Sequence, residues 1–137
     1  MAGELSTVGA NIGLDAATGR ATQTARTTYL ALCSAAPTGG DASTLATMNE
    51  IATAGYARQS VTWTAPTGDP AETHNSNTIT FGPFTADPPN VTHCALVSAA
   101  SGTTGDFIAW WTLTVARDAA SGDSIQYAAT ALSLTLD

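Results

Sequence analysis

From Val91 to Leu136 the chain alternates, and that alternation limits what it can fold into. The stretch DFIAWWTLTVARD places Phe107, Ala109, Trp111, Leu113 and Val115 on one side of an extended segment. Ile108, Trp110, Thr112 and Thr114 fall on the other. A period of two belongs to a strand and not to a helix. Ser101-Gly102-Thr103-Thr104-Gly105 and Ser121-Gly122-Asp123 break the pattern with turn chemistry. The reading is three or four consecutive strands in an antiparallel sheet with one packed face. Leu132, Leu134 and Leu136 alternate to the end, which expects the last strand to be tied into a sheet.

Earlier segments extend the same reading. Residues 27–34, TTYLALCS, form a strand with Leu30 and Leu32 on one face and Tyr29, Ala31 and Cys33 on the other. Residues 55–65, GYARQSVTWTA, form another, with Gln59, Val61 and Trp63 together. In residues 77–84, NTITFGPF, Ile79 and Phe81 point inward, and Gly82-Pro83 bends the strand. Residues 66–76, PTGDPAETHNS, read as a surface loop. Residues 44–54 read as a loop, with a two-turn helix on Leu45, Met48 and Ile51 as the competing reading. Seven or so strands with long early connections and short late ones suit an all-β fold. The expected form is an antiparallel two-sheet sandwich or jelly-roll-like barrel. Residues 1–26 form an N-terminal arm or short helix, with Leu5, Val8 and Ile12 at helical spacing, and residues 27–137 form a single β domain.

Charge excludes several partners. There are four Arg, no Lys and eleven acidic residues, for a net charge of −7. No basic patch exists to neutralise phosphates, so nucleic acid and anionic membranes are not expected partners. No window suits a transmembrane span, and MAGELSTVGANIG lacks the basic start of a secretory leader. The 27 Ala and 24 Thr give a thin core that gains from partners. Cys33 and Cys94 read as two buried free thiols, with a cross-strand disulfide as the alternative.

The residues offer little chemistry. His74 and His93 match no metal-ligand spacing, and no GxSxG, HExxH or phosphate loop occurs. No catalytic residue, cofactor, metal or small-molecule substrate is expected. Trp110 and Trp111 are adjacent, so in a strand their rings face opposite ways. Trp111 is taken as the core ring and Trp110 as the ring available to an interface. Arg58 reads as half of a structural ion pair or as an intersubunit contact. Leu5, Val8, Ile12, Arg20 and Arg26 are the arm's candidate contacts, joined by loops 38–54 and 66–76. Removing residues 1–26 is expected to leave the domain folded and to abolish assembly.

The segments TYLALCSAAP, GYARQSVTW, NTITFGPF, THCALVSAASG with DFIAWWTL, and ARDAASGDSIQYAATALSLTLD together resemble a family of small structural proteins of tailed bacteriophages. GYARQ (55–59) and ASGDSIQYAA (120–129) are the most specific pieces, and the likeness runs from about residue 27. The resemblance implies a non-enzymatic virion protein made in the host cytoplasm. The favoured implication is a capsid decoration protein, a homotrimer on the outer surface of the head that bridges major capsid subunits. A tail or baseplate component is the alternative. A carbohydrate-binding virion module is a third.

Overall fold

A computed structural model describes residues 1–136. Nine strands and one helix follow in order: β1 (Ala2–Leu5), α1 (Thr7–Thr18), β2 (Thr28–Cys33), β3 (Gln59–Val61), β4 (Ala71–His74), β5 (Ile79–Phe81), β6 (Val91–Val97), β7 (Phe107–Arg117), β8 (Ile125–Tyr127) and β9 (Ser133–Leu136). Seven of them make one curled sheet in the order β3-β2-β6-β7-β1-β9-β4, and β5 and β8 make a second, two-stranded sheet. The expected all-β two-sheet architecture is present.

Packing occupies both faces of the large sheet. One face holds Leu30, Leu32, Cys94, Leu96, Ala109, Trp111 and Leu113 against Ile79, Phe81, Ile125 and Tyr127 from the small sheet. The opposite face holds Ala31, Cys33, Ala95, Val97 and Phe107 under Leu45 and Met48. Leu45, Met48 and Ile51 are buried from a segment that is mostly irregular, with one 3-10 turn at Gly40–Ala42. Thus the loop reading of 44–54 holds, and its helical spacing reflects a loop pressed flat on a sheet.

The register of β7 against β6 is broken twice, once between Thr112 and Arg117 and once at Ile108. Leu96 pairs with Ala109, but the adjacent Val97 pairs with Phe107, leaving Ile108 as an extra residue. A bulge of this kind turns the residues before it to the other face. Phe107 therefore packs with Val97 and Leu45, not with Trp111. Val115, expected on the buried side, is 66% exposed and lies between Thr112 and Arg117, where the register with β6 is irregular.

Three other expectations change. Residues 71–74 are not loop: β4 pairs with β9 from Ala71↔Leu136 to His74↔Ser133. Ahead of it, Thr67 and Glu72 exchange two backbone hydrogen bonds of 2.9 Å, and Thr64 N–H donates to His74 O at 2.9 Å. This ribbon joins the outermost strands β3 and β4 and curls the sheet. The late strands are not all neighbours either. β8 leaves to pair with β5, and β9 pairs in parallel with β1.

The third change concerns the first five residues. β1 lies between β7 and β9, antiparallel to the first and parallel to the second. Removing residues 1–26, expected to leave the domain folded, would strip the pairing edges of both strands. Ser6 then starts α1: its Oγ accepts from Gly9 N–H at 3.0 Å and donates to Phe107 O, while its own N–H donates to Ile108 O at 2.9 Å. That N-cap satisfies an orphan helix donor and fixes the helix on the β7 bulge. A side chain at Gly9 would collide with the Ile108 carbonyl, so only glycine permits this approach.

Trp111 is 1% exposed and lies directly under Gly3, where any Cβ would strike the indole. Its Nε1–H donates to Ser133 O at 3.0 Å, and its ring stacks on Trp63 with centroids 6.4 Å apart. Trp111→Ala removes this packing and should cost about 3–5 kcal/mol. Urea unfolding with matched slopes checks it; a loss below about 1 kcal/mol would mean the ring is not the core's centre.

Candidate assembly surface

Among the described residues no group of three or more His, Cys, Asp or Glu is placed to hold a metal ion. The two cysteines are free and buried. Leu32 pairs with Cys94 and Cys33 with His93, so the two thiols point to opposite faces of the sheet. A disulfide across β2 and β6 is geometrically closed to them. Burial, reinforced by the Glu50 carboxylate, pushes the Cys33 thiol up to about 12. Burial likewise raises Cys94. Neither is a thiolate near neutral pH, and neither has the exposure a nucleophile needs. The histidines lie apart: His93 on β6 beneath Trp110, His74 on β4 with Nε2 3.7 Å from Glu72 Oε2.

The expected contact residues fall in different places. Leu5 and Ile12 come together. They line an apolar groove of ≈ 340 Å³ with Gly9, Gly13, Pro66 and Leu134, between α1 and the β4–β9 end of the sheet. Val8 is 36% exposed on the same helix, and Leu14 at 60% and Leu136 at 48% are the other large apolar side chains exposed in that region of the chain. Arg20 folds back on its own helix end, with Nε and Nη2 each 2.6 Å from the Asp15 carboxylate. Arg26 reaches Asp106 at 2.7 Å. Both pairs are solvent-facing and contribute little to stability. Trp110 is half-buried: its Nε1–H donates to Asp41 Oδ1 at 3.1 Å, and its ring lies 5.9 Å from that of His93. Trp110 and Trp111 do face opposite sides, with Trp111 in the core, as their adjacency requires.

Arg58 is an internal clamp, which is the ion-pair reading of it. Its side chain is 3% exposed. Nε and Nη2 grip Glu50 at 2.7 and 2.6 Å, Nη1 donates to Ala99 O at 2.9 Å, and Nη2 to Gly102 O at 2.8 Å. Tyr56 adds to the same carboxylate, donating its Oη–H to Glu50 Oε1 at 2.7 Å while accepting Leu32 N–H at 3.1 Å. Burial, with Glu50 alongside, holds the phenol far above its ordinary value. Glu50 thus ties the 44–58 connection to the 98–102 turn. The tyrosine and arginine of GYARQ mark the clamp in the sequence; their carboxylate partner, eight residues before Arg58, carries no local signal. An open groove of ≈ 480 Å³ runs over this clamp, lined by Glu50, Tyr56, Arg58 and Ser101 among others. Its Glu50, Tyr56 and Arg58 groups are engaged with one another.

The geometry is that of a structural protein: a small β domain whose polar side chains hold loops in place and whose open features are strand edges and apolar grooves. A family model described as "Podophage GP4 fiber I protein gp80" matches residues 4–135. The chain belongs to that family and is a non-enzymatic structural protein of a tailed-phage virion. No curated protein matches it.

Glu50→Ala leaves Arg58 charged and nearly buried with no anion. It should destabilise the fold by about 3–5 kcal/mol, and Glu50→Ala with Arg58→Met should recover part of that loss. Chemical denaturation of the two variants is the check. Equal losses in both would show that the packing, not the charge pair, carries the contribution.

Proposed function

We propose that the chain is a subunit of the tail-fibre apparatus, rather than a decoration protein on the head. The observation that carries this is the family description, which names a fibre protein and matches nearly the whole chain. The capsid-surface expectation, with the major capsid protein as partner, has no comparable support. Among the described residues there is one β domain and no repeating shaft segment. The role that fits this domain is a compact unit of the fibre or of its attachment to the tail. Its partners are then tail proteins and copies of itself, and the apolar groove beside α1 and the half-buried Trp110 are surfaces available for such contacts. The work done is mechanical. Each subunit contributes modest contact area, and a symmetric assembly multiplies it.

Cryo-electron microscopy of intact particles, with gold labelling of a tagged copy, tests the placement. The expected density and label lie on the tail and its fibres. Density at the three-fold positions of the head, with a bare tail, would overturn the fibre reading and return the decoration one.

A further inference from the structure

Two strand edges with no strand partner among the described residues border one cleft. β7 pairs with β6 in steady register as far as Thr112↔His93, then meets it again at Arg117↔Val91 across an irregular step. On its other side β1 accompanies it only at Ala109 and Trp110. Among the described residues no strand pairs with that second edge from Thr112 to Arg117. β8 uses one edge for β5 and, among the described residues, has no strand partner on the other. Leu113, Thr114, Val115 and Arg117 from β7 line the cleft opposite Gln126 and Tyr127 from β8, enclosing ≈ 350 Å³. The seven-stranded and two-stranded sheets are separate along this line.

An exposed edge offers a row of N–H and C=O groups that water satisfies poorly once apolar side chains crowd it, and natural proteins cover or blunt such edges. Here the side-chain blunting devices are missing, since no proline, lysine or inward charge lies in Thr112–Val115 or Ile125–Tyr127; the irregular register with β6 between Thr112 and Arg117 is the one device present. Val115 instead stands 66% exposed at the edge. Arg117 is the one charged side chain of the lining; Met1 also lines the cleft, and its ammonium donates to Ala131 O at 2.7 Å. Among the described residues Arg117 is also the arginine with no acidic partner, since Arg20, Arg26 and Arg58 are each paired within the chain.

We propose that this cleft receives an extended segment of another virion protein, which adds as a strand beside β7 and carries an acidic side chain opposite Arg117. Backbone hydrogen bonds supply the attachment. Alternate side chains turned toward Leu113 and Tyr127 supply the selection. The remaining side chains are uncharged, matching the lining. The inference rests on the chain working as an assembled virion subunit, and it is indifferent to whether that assembly is tail or head.

Hydrogen exchange tests it on the free chain at low concentration and on intact virions containing it. The peptides covering 112–117 and 124–128 should exchange at least tenfold more slowly in virions, while those of the already paired β2 and β6 change little. Arg117→Glu, an exposed position, should leave the unfolding midpoint of the free chain unchanged and lower its occupancy in particles at least tenfold. Unchanged exchange in virions would overturn the proposal. So would protection that appears in the free chain as its concentration rises, which would make the occupant a second copy. Full occupancy of Arg117→Glu would overturn the acidic match. Because whole virions are used, a head location would defeat the fibre reading and leave this result intact.

Discussion

The indole of Trp111 is the point where the chain's beginning and end are held to its middle. β7 supplies the ring, Gly3 of β1 lies flat on it, and Ser133 of β9 accepts its N–H. Three strands far apart in sequence thereby meet over one side chain. The Met1 carbonyl accepts from Ser133 N–H at 2.8 Å and runs the parallel pairing onward. An indole fully buried with its donor satisfied combines a large apolar area with no unmet polar group. In a chain with so much alanine, few other residues can fill that space. The helix follows from this seat, because β1 delivers Ser6 to the bulge in β7 and Gly9 allows contact with the backbone there.

Strands that announce themselves by alternation were legible. Leu30 and Leu32, Ile79 and Phe81, and Ala109 with Trp111 face as their spacing requires. What spacing could not reveal was long-range. Nothing near Ile108 signals a bulge; it arises because β7 must satisfy β6 on one side and receive Ser6 on the other. Residues 71–74 lack the apolar pattern of a strand since their faces meet a groove and solvent, yet β9 supplies the backbone partners. Residues 2–5 read as an arm with no strand in it for a similar reason: four residues are too few to show a period, and nothing in the sequence shows that Gly3 is clearance for an indole.

The candidate surface was legible in part. Leu5 and Ile12 share a groove because one lies at the end of β1 and the other on the helix it launches. Of the two readings of Arg58 the structure shows the ion pair, whose anion a lone cation in sequence does not reveal because Glu50 sits across a loop. The edge of β7 was invisible for a different reason. Whether a strand has one neighbour or two depends on where others stop, and β1 stops short. A chain with few charges, a rigid clamp under its loops and an uncovered edge is physically suited to being one part of a larger assembly, which is what its family membership describes.

The most direct test of this account is the unfolding of a chain that starts at Ser6. Without β1 the edges of β7 and β9 face each other with no strand between, and Trp111 loses its cover. Near-ultraviolet circular dichroism and tryptophan emission through a urea titration should then show an expanded chain with water-exposed indoles and no cooperative transition. A cooperative transition at the full-length midpoint, with emission as blue as before, would mean that the sheet closes without its first strand and that Trp111 is not where the fold is joined.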